Sequence, residues 1–337
     1  MFVPDPLTQT TIGDRAVYNF FPKQIRIVGI GGAGGNMVDY LYSIGAFGAH
    51  MITVDTDERH LSVIRADEKI LIGSKSLTKG TGAEGDTRIG KQAAEKSGWK
   101  LDEAIRDTKL MFIVAGMGGG TGSGAAPIIA LQAREIGATV VAIVTMPFQD
   151  ETDARKKAVD GIEKLLDTAH TTIVVDFDKL HGLEKDEPKQ NALSLMDELI
   201  AKKIKTIVES CTKRPLIHVN ILDLQRVLRD GGLSIMLSCR DRSDDNLLTL
   251  LQRALDHPLT AMDYKEATGA FIHVASGRDM SIEGVVKIVE YIYKAFNPSI
   301  HVLYGARLEK TNDCRIKILV ILTGLRKEKF RETYGCQ

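Results

Sequence analysis

An α/β fold is predicted for this chain: a parallel sheet flanked by helices, a central helix, then a smaller α+β unit. Three observations carry that prediction. Short apolar β-type runs alternate with helix-period segments from residue 25 to residue 176, which is the pattern of repeated strand–helix–strand units. Two glycine-rich turns each leave a strand and open a helix. A long amphipathic segment at 191–210 then separates the first alternation from a second, shorter one.

The strands of the first unit are expected at 25–29, 51–55, 69–72, 110–115, 139–145 and 172–176. The run Leu110-Met111-Phe112-Ile113-Val114-Ala115 is apolar throughout, as a strand buried on both faces requires. Helices are expected between them at 35–44, 85–97, 101–106, 124–136 and 153–167, giving a Rossmann-like sheet. Leu193, Met196, Leu199, Ile200, Ile204 and Ile207 recur at helical spacing and mark the central helix. Beyond it the sequence predicts helices at 224–238 and 244–256, strands at 268–275, 300–307 and 315–323, and a helix at 281–295. The division that follows is an N-terminal extension 1–22, a first domain 23–190, a central helix 191–210, a second domain 211–326 and a short tail 327–337.

The most informative stretch is Gly118-Gly119-Gly120-Thr121-Gly122-Ser123-Gly124, between the apolar strand and a helix starting Ala125-Ala126-Pro127. With no Cβ in the way, backbone N–H groups can converge on one pocket, and the helix N-terminus adds partial positive charge. That is a phosphate cradle, to which Thr121 and Ser123 can add hydroxyls. No Gly-Lys-Ser/Thr follows at the offset of a P-loop. Gly31-Gly32-Ala33-Gly34-Gly35-Asn36 repeats the arrangement after the first strand. Alone it matches a dinucleotide-binding turn, with Asp55 as the ribose acid of a dehydrogenase. A second cradle at 118–124 has no place in that reading. Two cradles on one sheet point to a nucleotide held in a crevice between strand ends.

Composition sets outer limits. Basic and acidic residues number 44 each, which leaves no basic excess for a general nucleic-acid binder. Cys211, Cys239, Cys314 and Cys336 are scattered without a Cys-x-x-Cys pair, so neither zinc ligation nor a disulfide framework is indicated. No apolar run is long enough to cross a membrane and no signal-peptide core precedes Lys23. A cytoplasmic protein without direct membrane insertion is expected.

The two turns together resemble the tubulin/FtsZ family of GTP-dependent filament proteins, nearer to prokaryotic FtsZ than to tubulin. Gly118 to Gly124 matches the family signature at every position, and the likeness runs over residues 23–326 through Val54-Asp55-Thr56-Asp57, Lys79 to Gly85 with Gly82 and Ala83, Thr145-Met146-Pro147-Phe148, Ala270 to Val274 and Tyr304-Gly305-Ala306. The resemblance implies that GTP or GDP is bound, with Mg2+ held mainly by nucleotide and water. It places Asp197 against guanine N1 and N2, which a carboxylate can accept from and which adenine cannot match. It places Asn36 toward the α-phosphate or base edge, Glu151 near the ribose and Arg155 near the phosphates. Two departures concern the base: Leu193 stands where the family stacks an aromatic ring, and Phe177 where it has asparagine. Asp150 and Thr152 also replace the usual flanks of Glu151.

In such proteins hydrolysis is completed by a loop of the next subunit reading Asn-x-Asp-x-x-Asp. Here it is His218-Val219-Asn220-Ile221-Leu222-Asp223. Asp223 keeps the second carboxylate and Asn220 replaces the first, so slow GTP hydrolysis is expected, with Asp223 and Asn220 as the catalytic candidates. The resemblance implies a linear homopolymer and a membrane-adaptor protein as partners. The chain runs only about a dozen residues past its last strand, which fits recruitment through another surface, a divergent paralogue, or a sequence cut short of its natural tail, and these stay open. A regulator that binds nucleotide without forming filaments stays open as the alternative.

Overall fold

β1 (Ile25–Ile30) is a buried apolar strand that passes directly into α1 (Gly31–Ile44). β2 (His50–Asp55), the short α2 (Glu58–Val63) and β3 (Glu68–Leu71) follow. Then come α3 (Thr87–Lys96), α4 (Gly98–Ile105), β4 (Leu110–Gly116) and α5 (Gly120–Glu135). β5 (Thr139–Met146), α6 (Thr152–Thr168) and β6 (Thr171–Asp176) complete the first alternation. The long α7 (Lys189–Thr212) leads to α8 (Ile221–Arg229), β7 (Gly232–Asp241), β8 (Gly269–Ser276), α9 (Ile282–Ala295), β9 (His301–Leu308), β10 (Ile316–Leu325) and α10 (Glu328–Tyr334). This is a computed structural model, and it describes residues 24–46, 48–74, 76–176, 178, 189–213, 216–241, 249, 252, 264–276, 282–295, 299–309 and 316–335.

Among the described residues the strands form one sheet in the order β3-β2-β1-β4-β5-β6-β7-β10-β8-β9. β3 through β6 are all parallel. In that parallel part the strand order reverses between β1 and β4, and this reversal is the topological switch point where open α/β sheets hold ligands. β10 pairs antiparallel with both β7 and β8, and β9 returns parallel to β8. The mixed second half is the smaller α+β unit, joined edge to edge with the first through β6 and β7.

Each face of the sheet carries its own core. One contains α3, α4, α5, α6, α9 and α10, through residues such as Ala93, Leu101, Ile129, Ile162, Ile288 and Phe330. The other contains α1, α7 and α8, through Met37, Leu41, Ile200, Ile204 and Leu224. α7 therefore lies on the sheet beside α1 and also reaches β8 and β9 of the second unit.

Three sequence expectations change. The helix expected at 224–238 ends at Arg229, and Gly232 to Asp241 is strand β7. Gly231 and Gly232 (φ +49°) turn the chain, and residues 232–241 then pair with β10, so sheet pairing overrides a helix-compatible local pattern. α1 and α5 begin at Gly31 and Gly120, four residues earlier than the predicted starts, because the glycine turns are themselves the first helical turns. Finally, the tail forms α10 and buries Phe330 and Tyr334. The expected helix at 244–256 falls largely outside the described residues, as does the extension 1–22.

Candidate nucleotide site

α1 and α5 leave adjacent strands, since Ile30 of β1 pairs with Ala115 of β4. Their N-termini therefore stand side by side at the switch point. Neither has a side-chain cap: the residues at the cap positions are Ile30 and Gly119. The first N–H groups of a helix have no partner within it, and the summed peptide dipoles place partial positive charge there. The neighbouring α2 and α3 differ. Asp57 accepts from the Arg59 and His60 N–H groups at the start of α2, and Asp86 accepts from Arg88 N–H at the start of α3. The uncapped pair is thus suited to an anion.

The glycines at this place divide into three kinds. Gly31 (φ +71°) and Gly118 (φ +101°) are in the left-handed region, where a side chain is strained. Several others permit close packing of backbones. A Cβ at Gly34 would lie 2.4 Å from the Val114 carbonyl oxygen, one at Gly122 2.3 Å from Gly116 O, and one at Gly124 2.1 Å from Thr87 O. Gly120 is enclosed by Ala83 and the Asp86 backbone, and Gly35 by the ring of His60. Only Gly32 and Gly119, within the two turns, would present a Cβ to open space. They mark the side of the cradle from which a phosphate can approach.

The hydroxyls expected to face a ligand are engaged within the protein. Thr121 and Thr56 hydroxyls lie 2.7 Å apart, and Ser123 Oγ accepts from Gly118 N–H at 2.7 Å. These bonds brace α5 against the loop after β2 and hold the second turn closed on itself. Gly82 donates its N–H to Thr56 O, so the 78–86 loop with Gly82 and Ala83 folds over the same loop.

On the β5–β6 side, Glu151 caps its own turn by accepting from Phe148 N–H (3.1 Å). Arg155 donates to Pro147 O (2.9 Å), Asp178 (3.1 Å) and Asp176 (3.3 Å). The guanidinium is thus fixed by two carboxylates at the end of β6. Burial and the adjacent Asp176 charge both push the Asp178 carboxyl up. Phe177, between them, lies outside the described residues.

α7 runs alongside α1 in the same direction. Tyr40 of α1 meets Glu198, and Ile44 O accepts from Lys205. The first turns of α7, with Leu193 and Asp197, therefore lie toward the Asn36 end of α1. Leu193 is exposed. The Asp197 carboxyl is pushed up to about 7 by burial alone, and no hydrogen bond to it is found among the described residues. A desolvated carboxylate without donors is matched to a ligand that brings donors. Asn36 is exposed and its Oδ1 lies 3.3 Å from His60 Nε2, while His60 Nδ1 donates to Asp55 (2.9 Å). Asp55 is buried and also accepts from Thr56 and Asp57 N–H. It is folded into the protein and cannot serve as the ribose acid of a dehydrogenase.

Asn220 and Asp223 stand elsewhere. Asn220 is the cap of α8 and accepts from Leu222 N–H (2.9 Å). Asp223, in the first turn, accepts from Arg226 (3.1 Å), and His218 is exposed. Farther along α8, Gln225 donates to Lys109 O (2.6 Å) and to Thr139 (3.1 Å). Lys109 and Thr139 precede or open β4 and β5, so α8 is anchored at the N-terminal ends of these strands, opposite the glycine turns. The capping role of Asn220 has a local signal, an asparagine directly before the helical run Ile221-Leu222-Asp223-Leu224. The His60–Asn36 and Arg155–Asp176 contacts have none, since both join segments more than twenty residues apart.

Two uncapped helix ends at the switch point of a parallel sheet define a nucleotide-binding α/β protein. Comparison with known proteins makes the class specific. The profile of the Tubulin/FtsZ family, GTPase domain, matches residues 24–185, and that of the FtsZ family, C-terminal domain, matches residues 232–326. The chain is 38% identical over 306 residues to cell division protein FtsZ 2 of Halobacterium salinarum, covering 91% of this chain and 78% of that one. The solved empty FtsZ dimer of M. jannaschii superposes with a TM-score of 0.86 at 34% identity, covering 94% of this chain and 93% of the other. A GTPγS-bound CetZ2 protofilament from Haloferax volcanii shares the fold, with a TM-score of 0.78 at 22% identity over 93% and 96% of the two chains. This chain belongs to the Tubulin/FtsZ family, a family of GTPases with cell-division members.

Proposed function

We propose that this protein binds GTP between the N-termini of α1 and α5 and assembles head to tail into filaments that act in cell division or a related membrane-shaping role in the cytoplasm. The single observation behind this reading is the pair of adjacent, uncapped, glycine-built helix ends. The opposed position of α8 supports the assembly step. With the cradle at the C-terminal ends of the strands and the helix of Asn220 and Asp223 anchored at the N-terminal ends, the contact is heterologous, and such contacts propagate. A membrane-adaptor protein would then link the polymer to the membrane.

In this reading Gly32 and Gly119 face the phosphates, Asp197 reads guanine, and Asp223 of the next subunit orients the attacking water. Mg2+, bound mainly through phosphate and water, would neutralise charge developing on the phosphates. Asn220 can hold a water but cannot take its proton, so turnover is slow. Because aspartate caps a helix as well as asparagine does, Asn220→Asp restores a carboxylate without costing α8 its cap.

The test follows GTP-dependent light scattering and phosphate release in one sample. Scattering should rise with GTP, Asn220→Asp should raise the release rate, and Asp223→Ala should remove most of it, by on the order of 10²-fold or more, with monomer affinity for GTP kept. Binding of GTP without any scattering or filaments by electron microscopy would favour the non-polymerising regulator instead.

A further inference from the structure

α10 lies across α6 on the outer face of the first unit. Lys327 pairs with Asp167 (2.5 Å) and Arg331 with Glu163 (2.7 Å). These pairs are largely exposed and contribute little. The anchor is aromatic: Phe330 is fully buried and Tyr334 nearly so, with ring centroids 5.3 Å apart. Burying a Phe side chain stabilises by more than such pairs do.

Tyr334 does more than fill space. The Arg155 guanidinium carbon lies 5.8 Å from the centre of its ring, and the Tyr334 hydroxyl donates to Asp176. Asp176 is buried and holds Arg155 Nη2, while Nη1 is shared between Asp178 and Pro147 O. The guanidinium thus sits over the ring, and the hydroxyl gives the buried Asp176 carboxylate a second donor. Pro147 and Ala154 in turn wall the second glycine turn: a Cβ at Gly118 would sit 2.7 Å from Pro147 Cγ and 2.9 Å from Ala154 O. An unbroken line of contacts runs from α10 to the phosphate cradle.

We propose that Tyr334 is a positioning residue for the nucleotide site, fixing Arg155 and, through Pro147, the shape of the Gly118 turn. The proposal rests on the reading of that turn as a GTP site. Without the ring and hydroxyl, Arg155 is free to swing toward the more exposed Asp178, and the wall behind Gly118 loosens. Phe330, on the same helix, packs in the core and against the Tyr334 ring, whereas the ring found over Arg155 is that of Tyr334; Phe330 therefore supplies the control.

The experiment measures fluorescent-GTP affinity and dissociation rate on the full chain, at concentrations where scattering shows no assembly. Wild type is compared with Tyr334→Leu, Tyr334→Phe and Phe330→Leu, and each variant's thermal midpoint is recorded. Tyr334→Leu should weaken affinity roughly 5- to 10-fold, mainly through faster dissociation. Tyr334→Phe, which keeps the ring over the guanidinium, should recover most of that loss. Phe330→Leu should lower the thermal midpoint and leave affinity within about twofold of wild type. If Tyr334→Leu leaves affinity unchanged, or the two leucine variants weaken it equally, Tyr334 is a packing residue and the inference is overturned while the GTP reading stands. A wild-type chain that binds no GTP overturns both.

Discussion

α1 and α5 begin with bare glycine turns, whereas α2 and α3, packed beside them, begin with Asp57 and Asp86. All four helix ends begin with N–H groups that have no partner within the helix, and all have the same sign of dipole. Where the chain supplies a carboxylate, the end is closed by the protein itself. Where it supplies only glycine, and two such ends meet at the strand-order reversal, the ends are left open and suited to an anion. The same contrast recurs among the glycines: Gly34 and Gly122 let backbones touch, and Gly32 and Gly119 face open space.

The sharpest way to break this contrast is to exchange one kind of end for the other. Gly119→Asp places a carboxylate at the α5 cap, whose extended backbone (φ −81°, ψ 163°) suits one. It should close the end as Asp57 closes α2, stabilise the fold slightly and reduce GTP affinity by about 100-fold or more, measured by titration. Unchanged affinity would mean that phosphates do not sit there. A second exchange separates the glycines by stability. Gly34→Ala and Gly122→Ala force a Cβ into carbonyl oxygens at 2.4 and 2.3 Å, so urea unfolding should show a loss of about 3 kcal/mol. Gly32→Ala should keep or raise stability, by roughly 0.4–1 kcal/mol, while weakening GTP about tenfold by crowding the approach. Equal behaviour of the two sets erases the distinction.

A third measurement uses pH. Burial raises the Asp197 carboxyl to about 7, so it is protonated in the free protein below that pH. Guanine N1–H and N2–H need an acceptor, and binding must then release the proton. GTP affinity should therefore fall as pH drops below 7, by up to about tenfold per unit, and Asp197→Asn should flatten the profile. For the nucleotide-free fold the sign is opposite. A raised carboxyl pKa means the native state holds the proton more tightly, so this group's contribution declines as pH rises from about 4 to 7. The smallest effect is expected at a capped end. Asp57→Ala should cost about 1 kcal/mol in urea unfolding and leave GTP affinity nearly unchanged.

Much of this was legible beforehand because it is local. A continuous apolar run such as Leu110–Ala115 can only be a strand buried on both faces, and a glycine run between a strand and a helix can only be a turn with accessible N–H groups. The long central helix was equally plain from its spacing. β7 was not, because Leu233 to Leu237, apolar but for Ser234, is too short to set a period, and pairing with β10 settles it. Nor was the inward turn of Ser123 and Thr121, whose partners Gly118 and Thr56 are fixed only once α5 packs on the loop after β2.

The sequence by itself determined that the chain alternates strands and helices, and that two glycine-rich turns each join a strand to a helix. Those are properties of neighbours along the chain, set by side-chain periodicity and backbone freedom. Only the tertiary structure decided which glycines touch backbone and which face open space. It alone brought Tyr334 of the last helix against Arg155, and desolvated Asp197 beside α1. Those depend on close approach between segments far apart in sequence, where steric contact and loss of water are set by packing and leave no local pattern to read.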